Sequence, residues 1–249
     1  MNKITPIGFI VNAFFPQRCL LCGKVINPHF SLCRECENGD FYIKNEVCPL
    51  CGVEKEYCIC KKKKNSFEAV CSPFYYQGSP RNAVMKLKYS HNENYAKNLA
   101  LFMEKSVNER FSGIQFDEIA FVPMTKKQIS DRGFNQSELI ALELSKLLGI
   151  PVRSYLYKVF ETEQQHTLKA NRRKGNVLGA YDVRDVSVKT DVREEKVFSP
   201  KDKRILLCDD VMTTGATLNE CAKMLLLSGA KEVFCVTATI TKMSVDKTG

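Results

Sequence analysis

The run Arg204-Ile205-Leu206-Leu207-Cys208-Asp209-Asp210-Val211-Met212-Thr213-Thr214-Gly215-Ala216-Thr217 constrains this chain more than any other stretch. It opens as a short, wholly apolar segment, the pattern of a parallel strand covered on both faces. Two adjacent carboxylates close it. Three threonines and a glycine follow within five residues, and then apolar residues at helical spacing: Leu218, Cys221, Ala222, Leu225 and Leu226. Strand, small polar turn and helix start together make a phosphate seat, because unpaired N–H groups point out of a helix N-terminus and its dipole favours an anion. Gly215 lets the backbone close on an oxygen with no Cβ in the way, and Thr213, Thr214 and Thr217 add hydroxyl donors. Asp209 and Asp210 can only accept, so beside a phosphate they would repel it. They suit the neutral hydroxyls of a sugar, and the stretch reads as a clamp for a ribose carrying a 5-phosphate. A plain strand-to-helix loop is the alternative, but a cap needs one such side chain and this turn offers several.

Cysteine spacing divides the rest. Eight of the twelve cysteines form four close pairs before residue 61: Cys19/Cys22, Cys33/Cys36, Cys48/Cys51 and Cys58/Cys60. No secretory leader is legible: the apolar segment Ile4 to Phe15 is interrupted by Thr5, Pro6 and Asn12, and Pro16-Gln17-Arg18 is no small-residue cleavage site. It reads as a short amphipathic helix, and a cytoplasmic protein is expected. In that compartment, paired cysteines on tight turns are zinc knuckles rather than disulfides. Tetrahedral Zn²⁺ takes four soft ligands, two from each knuckle. Consecutive pairing gives two structural sites, Cys19, Cys22, Cys33 and Cys36 in one and Cys48, Cys51, Cys58 and Cys60 in the other. Crossed pairing remains open, though short loops favour neighbours. With eight thiolates at hand, His29 is expected to be a loop residue.

Lys61 to Lys64 read as a solvated linker, with a nucleic-acid grip as the alternative. Beyond it, Ala69 to Tyr76 reads as a strand, Ser79-Pro80 opens a helix through Tyr89 that carries Lys86 and Lys88, and Asn94 to Arg110 is a second helix. Ile119 to Pro123 is a buried strand whose C-terminal loop holds Lys126 and Lys127, followed by Arg132. An open α/β sheet places ligand groups at such strand ends. Asn135 caps a helix that runs to Leu148 and stops at Gly149. Glu161 to Gly175 has the composition of a mobile loop or a lid, with Arg172 as its candidate cation. Glu232 to Thr239 is a last strand, and Cys71, Cys208, Cys221 and Cys235 fall at core positions. The net charge of +9, from 37 basic and 28 acidic residues, suits polyanionic ligands. No apolar run reaches the roughly 18 residues of a membrane span.

Asp209-Asp210-Val211-Met212-Thr213-Thr214-Gly215-Ala216-Thr217 resembles the phosphoribosyl pyrophosphate motif of type I phosphoribosyltransferases. The wider chain is similar to the ComF family of phosphoribosyltransferase-like proteins. That resemblance rests on the cysteine knuckles, Lys86-Leu87-Lys88-Tyr89, the Arg132-Gly133-Phe134-Asn135-Gln136 box, Gln164 to Leu168 with Arg172, and Asn176 to Tyr181. Two departures stand out. Met124-Thr125 replaces a Val-Pro or Ile-Pro pair, and Arg184 to Lys203 is a long charged insertion expected to be a surface loop. The resemblance implies an acidic pair on the ribose hydroxyls, Val211 to Thr217 around the 5-phosphate, and Lys126, Lys127 and Arg132 toward the pyrophosphate, with Lys86 and Lys88 lining the same cleft or a neighbouring nucleic-acid groove. It also implies Arg172 as a catalytic group, Mg²⁺ with the donor, and a part in DNA uptake beside single-stranded DNA and other uptake proteins. A non-catalytic module binding phosphoribosyl pyrophosphate or a nucleotide, and single-stranded DNA, is the second reading.

The expected architecture is therefore a helix and double zinc ribbon over residues 1–64. An open, mainly parallel α/β sheet flanked by helices follows over residues 65–249.

Overall fold

The computed structural model describes residues 16–60, 64–89, 93–159, 179–189 and 195–242. The helix expected over Ile4 to Phe15, most of the Lys61 to Lys64 run and the Glu161 to Gly175 segment with His166 and Arg172 lie outside them. In chain order the elements begin with α1 (Arg34–Glu37), a 3₁₀ turn at Lys55–Tyr57, β1 (Val70–Cys71), β2 (Phe74–Tyr75), α2 (Gly78–Tyr89) and α3 (Asn94–Arg110). Next come β3 (Glu118–Phe121), α4 (Lys126–Arg132), α5 (Gln136–Leu148), β4 (Leu156–Lys158), β5 (Tyr181–Val183), β6 (Val186–Lys189) and β7 (Glu195–Phe198). The chain closes with β8 (Arg204–Met212), α6 (Ala216–Leu227) and β9 (Glu232–Ile240).

The main sheet is parallel, in the order β1–β9–β8–β3, with β2 pairing further along the same edge of β9. What reads in sequence as one strand from Ala69 to Tyr76 is thus two, parted at Ser72-Pro73, because proline lacks the N–H that a ladder needs. The apolar run of β8 has the cause inferred for it. Ile205 and Leu207 pack with Val233 and Cys235 under Leu218, Cys221 and Leu225 of α6. Leu206 and Cys208 face the other way, among Leu87, Leu99, Met103, Ile140 and Leu144 of α2, α3 and α5. Each such side chain contributes roughly 1.5–3 kcal/mol on burial. Burial also pushes the thiols of Cys71, Cys208, Cys221 and Cys235 upward, Cys71 to about 12, which leaves them inert packing groups.

Two expectations need correcting. The Arg184 to Lys203 insertion is not simply a loop: β6 and β7 pair antiparallel within it, and Phe198 packs on the core while carrying the Arg153 guanidinium 3.8 Å from its ring centre. The lysines after β3 do not sit on a loop either. Thr125 and Gln128 form a reciprocal capping box, so Lys126 and Lys127 open helix α4.

The ribbon leans on the body in two places. Leu21, Cys36 and Phe41 enclose Phe74, and Ile43, Cys51 and Val53 join the core under α6. Gly52 is pressed against the last strand, since a Cβ there would stand 2.5 Å from Ile240 Cδ1. Lys242 sits 4.2 Å from the ring centres of both Tyr57 and Tyr75, and the Tyr75 hydroxyl donates to buried Glu54 at 3.0 Å.

Asn135 is a sensitive joint. Its Oδ1 accepts from the Ser137 and Glu138 amides at 3.0 and 3.4 Å, and its Nδ2 donates to the Val122 carbonyl at 3.0 Å. Asn135→Ala removes the cap and strands a buried carbonyl, so urea denaturation should show a loss of about 2–3 kcal/mol. Lys126→Ala on exposed α4 should stay within about 0.5 kcal/mol.

Candidate functional site

Strand β8 runs past the end of β3: Phe121 pairs with Cys208, and Asp209 and Asp210 project beyond that pair on the C-terminal edge of the sheet. Both carboxylates are only 8% exposed. Asp209 Oδ1 accepts from Ser137 Oγ at 2.7 Å and from the Asp210 amide at 2.9 Å. Asp210 Oδ2 lies 2.6 Å from Lys88 Nζ. Among the described residues these bonds fall on one oxygen of each carboxylate, which leaves the second oxygen of each as an acceptor. Burial, and then the charge of Asp210, push Asp209 up to about 7. Burial opposes the charge on Lys88, but the Asp210 carboxylate outweighs it and raises the ammonium above its usual value.

The turn after the pair is open. Thr213 and Thr214 are exposed, and Gly215 takes a left-handed φ of 75° ahead of α6. The N-cap of this helix, Gly215, has no side chain to cap it, although the same chain caps α4 with Thr125 and α5 with Asn135. Thr214 Oγ1 reaches only the Ala216 amide, at 3.4 Å. A run of threonines serving as caps would have occupied those N–H groups. Beyond that bond, no side chain among the described residues takes a first-turn amide of α6, a group of the kind that can receive an anion. Tyr181, a buried phenol opposite Lys158 in the β4–β5 pair, packs in the same cluster as Leu218 and Cys221 of α6.

Two residues read as ligand contacts are strand instead. Met212 pairs with Ile240 and is buried, so its side chain packs the core. Val211 pairs with Thr239 and leans on the opposite cluster. The turn begins at Thr213, and Ala216 packs against the core rather than facing outward.

The basic candidates separate. Lys88 joins the acidic pair. Lys86, about 200° further round α2, turns to the ribbon, donating to the Cys22 carbonyl at 3.0 Å and the Tyr95 hydroxyl at 3.1 Å. It is a ribbon anchor and does not meet the acidic pair. Arg132 bonds Gln136 Oε1 at 3.2 Å and lies over the Tyr89 ring at 5.7 Å, next to Lys88 in sequence. Lys126 and Lys127 are exposed on the first turn of α4, beyond the end of β3. The sequence reading missed Ser137, whose hydroxyl donates to Asp209. Ser137 directly follows the Arg132 to Gln136 box, and that adjacency was the available signal.

The eight paired cysteines fall into the two consecutive sets, each with its sulfurs within 4.8 Å of one another. Four sulfurs 2.3 Å from one tetrahedral ion stand about 3.8 Å apart. The structure gives 3.7 Å for Cys22–Cys33, 3.6 Å for Cys51–Cys58 and 3.4 Å for Cys48–Cys60. Both sets fit Zn²⁺, and four thiolates leave no position for substrate. His29 is exposed and belongs to neither set.

A double zinc ribbon family model matches residues 10–72, and a phosphoribosyl transferase domain model matches residues 133–245. The DNA utilization protein YhgH of Salmonella typhimurium is 28% identical over 239 residues, which cover 90% of this chain and 98% of that protein. Competence protein F of Haemophilus influenzae is 29% identical over 231 residues, covering 88% of this chain and 95% of its own length. A solved structure, the glutamine phosphoribosylpyrophosphate amidotransferase of B. subtilis, is 21% identical over 57% of this chain and 25% of that one, with a TM-score of 0.35. With both domains matched in the order read from the residues, the chain is similar almost end to end to competence protein F and carries a double zinc ribbon followed by a phosphoribosyltransferase-like domain.

Proposed function

We propose that this protein binds phosphoribosyl pyrophosphate with Mg²⁺ and acts as a phosphoribosyltransferase in the handling of DNA during uptake. One observation carries the reading: β8 delivers two carboxylates beside a helix N-terminus whose cap residue, Gly215, has no side chain. Asp210 holds the 2-hydroxyl and Asp209 the 3-hydroxyl, each through its second oxygen. Thr213, Thr214, Gly215 and the first turn of α6 hold the 5-phosphate. Arg132, with Lys126 and Lys127, meets the diphosphate, and Arg172 belongs to the same proposal. Transfer breaks the bond from the anomeric carbon to diphosphate through an oxocarbenium-like transition state, and an acceptor nucleophile takes that carbon. Mg²⁺, bound with the donor, would supply positive charge to the leaving diphosphate.

The names of the relatives, a DNA utilization protein and a competence protein, support the setting. They equally favour the second reading, a non-catalytic donor-binding module that assists single-stranded DNA and partner uptake proteins. The proposal places the protein in the cytoplasm and divides it between residues 64 and 65. No helix among the described residues is long and apolar enough to cross a membrane.

Calorimetric titration of the full chain with phosphoribosyl pyrophosphate should give saturable binding, at least about ten-fold tighter with Mg²⁺ than without. Absence of any binding heat or competition would end the donor reading. Pyrophosphate release with a panel of nucleobases then separates transferase from binder.

A further inference from the structure

Among the described residues Lys88 is the candidate cation that touches the acidic pair, and it does so in an enclosed setting: its side chain is 19% exposed and that of Asp210 12%. A buried ammonium is tolerated only when paired. The last turn of α2 adds to the fit, since the C-terminal end of a helix favours a cation. Lys86, bonded to the ribbon, cannot substitute for it. Left without Lys88, two adjacent carboxylates at the sheet edge would repel any diphosphate brought near them.

The placement has a chemical consequence if the seat takes a ribose. On that sugar the 2-hydroxyl and the leaving group are on neighbouring carbons. A cation bonded to a carboxylate that grips a ring hydroxyl therefore stands within reach of the diphosphate on C1. The same cation has nothing to gain from ribose 5-phosphate, whose only anion is held at the far end of the sugar by the α6 turn.

We propose that Lys88 is a specificity-determining residue, shared between Asp210 and the incoming diphosphate, that makes this seat prefer phosphoribosyl pyrophosphate over ribose 5-phosphate. The inference rests on the donor reading above and deepens it. In the empty protein Lys88 offsets half of the acidic pair's charge. In the loaded protein it keeps Asp210 on one side and takes a diphosphate oxygen on the other. Arg132, over Tyr89 at 5.7 Å, supplies further positive charge at the same edge.

The test compares two ligands on Lys88→Met, Lys88→Gln and Lys88→Arg, with thermal melts confirming that each variant is folded. In Lys88→Met, affinity for phosphoribosyl pyrophosphate should fall at least ten-fold while affinity for ribose 5-phosphate stays within three-fold or improves. Lys88→Arg should restore most of the preference. Lys88→Gln keeps a donor for Asp210 without the charge; it should lose the preference, and it carries the test if Lys88→Met does not fold. Equal losses for both ligands would make Lys88 a structural residue, and an unchanged preference would leave it no role; either overturns the proposal. A wild type that binds neither ligand defeats the donor reading itself, which is a different failure.

Discussion

Asp209→Asn combined with Asp210→Asn is expected to leave a folded protein that has lost phosphoribosyl pyrophosphate by about 100-fold, taking about 1.4 kcal/mol for each charged acceptor made neutral. The amides keep the shape, and an Asn oxygen can still accept from Ser137. What goes is the charge that strengthens each bond to a sugar hydroxyl. Calorimetry reads the loss directly, and a double variant that binds like the wild type would remove the acidic pair from the site. Stability should move the other way. The carboxyl of Asp209 is pushed up to about 7 by burial and by Asp210, against about 3.9 in the unfolded chain. The folded state therefore holds that proton more tightly than the unfolded state, and stability falls as pH rises between about 4 and 7. Above that window the whole cost of the buried charge is present. Asp209→Asn should accordingly gain on the order of 1–3 kcal/mol in urea denaturation at pH 8. The gain should shrink toward pH 5, where the wild-type group is already neutral. Donor affinity of the wild type should weaken as pH drops through 7.

Loss of zinc should be the most damaging change to the fold, and unequally so at the two sites. Cys51→Ser and Cys33→Ser should each lower zinc from two ions per chain to one, measured by elemental analysis. Cys51 is buried in the same cluster as Ile205, Leu207 and Cys221. Cys33 only flanks the smaller cluster around Leu21 and Phe74. Structural zinc is worth folding free energy outright, and because the second site is continuous with the main core its loss spreads. Cys51→Ser should cost on the order of 4 kcal/mol, or roughly 10 °C in Tm for a chain of this size. Cys33→Ser should cost about half as much. Equal effects would mean that the two knuckle pairs share one cooperative unit.

Much of this was legible because local chemistry and tertiary demand agree. The α5 cap at Asn135 and stop at Gly149, the limits of α3, and the consecutive cysteine pairing are each set by residues close in sequence. The strand, turn and helix start over Arg204 to Thr217 were legible for the same reason, since they are contiguous. What failed depended on partners far away. The strand character of Met212 comes from Ile240, 28 positions on. The ion pair of Lys88 with Asp210 and the bond of Ser137 to Asp209 join β8 to helices α2 and α5, far off in sequence, and no spacing rule encodes them. The lysines at 126 and 127 went to a helix because Thr125 and Gln128 satisfy each other, a local signal that was present but overlooked.

The position of β9 has a consequence for how the molecule comes to be. It is the final strand of the described chain, yet it lies inside the sheet, flanked by β1 and β2 on one edge and β8 on the other, with Gly52 of the ribbon against its end. During synthesis, the edge strands and the metal-loaded knuckles emerge first and wait, unable to pair with each other. Residues 232–240 act as a keystone: until they leave the ribosome, the two halves share no ladder. A nascent or truncated chain is thus conspicuously open, and β8 gains its second neighbour only when β9 has been inserted.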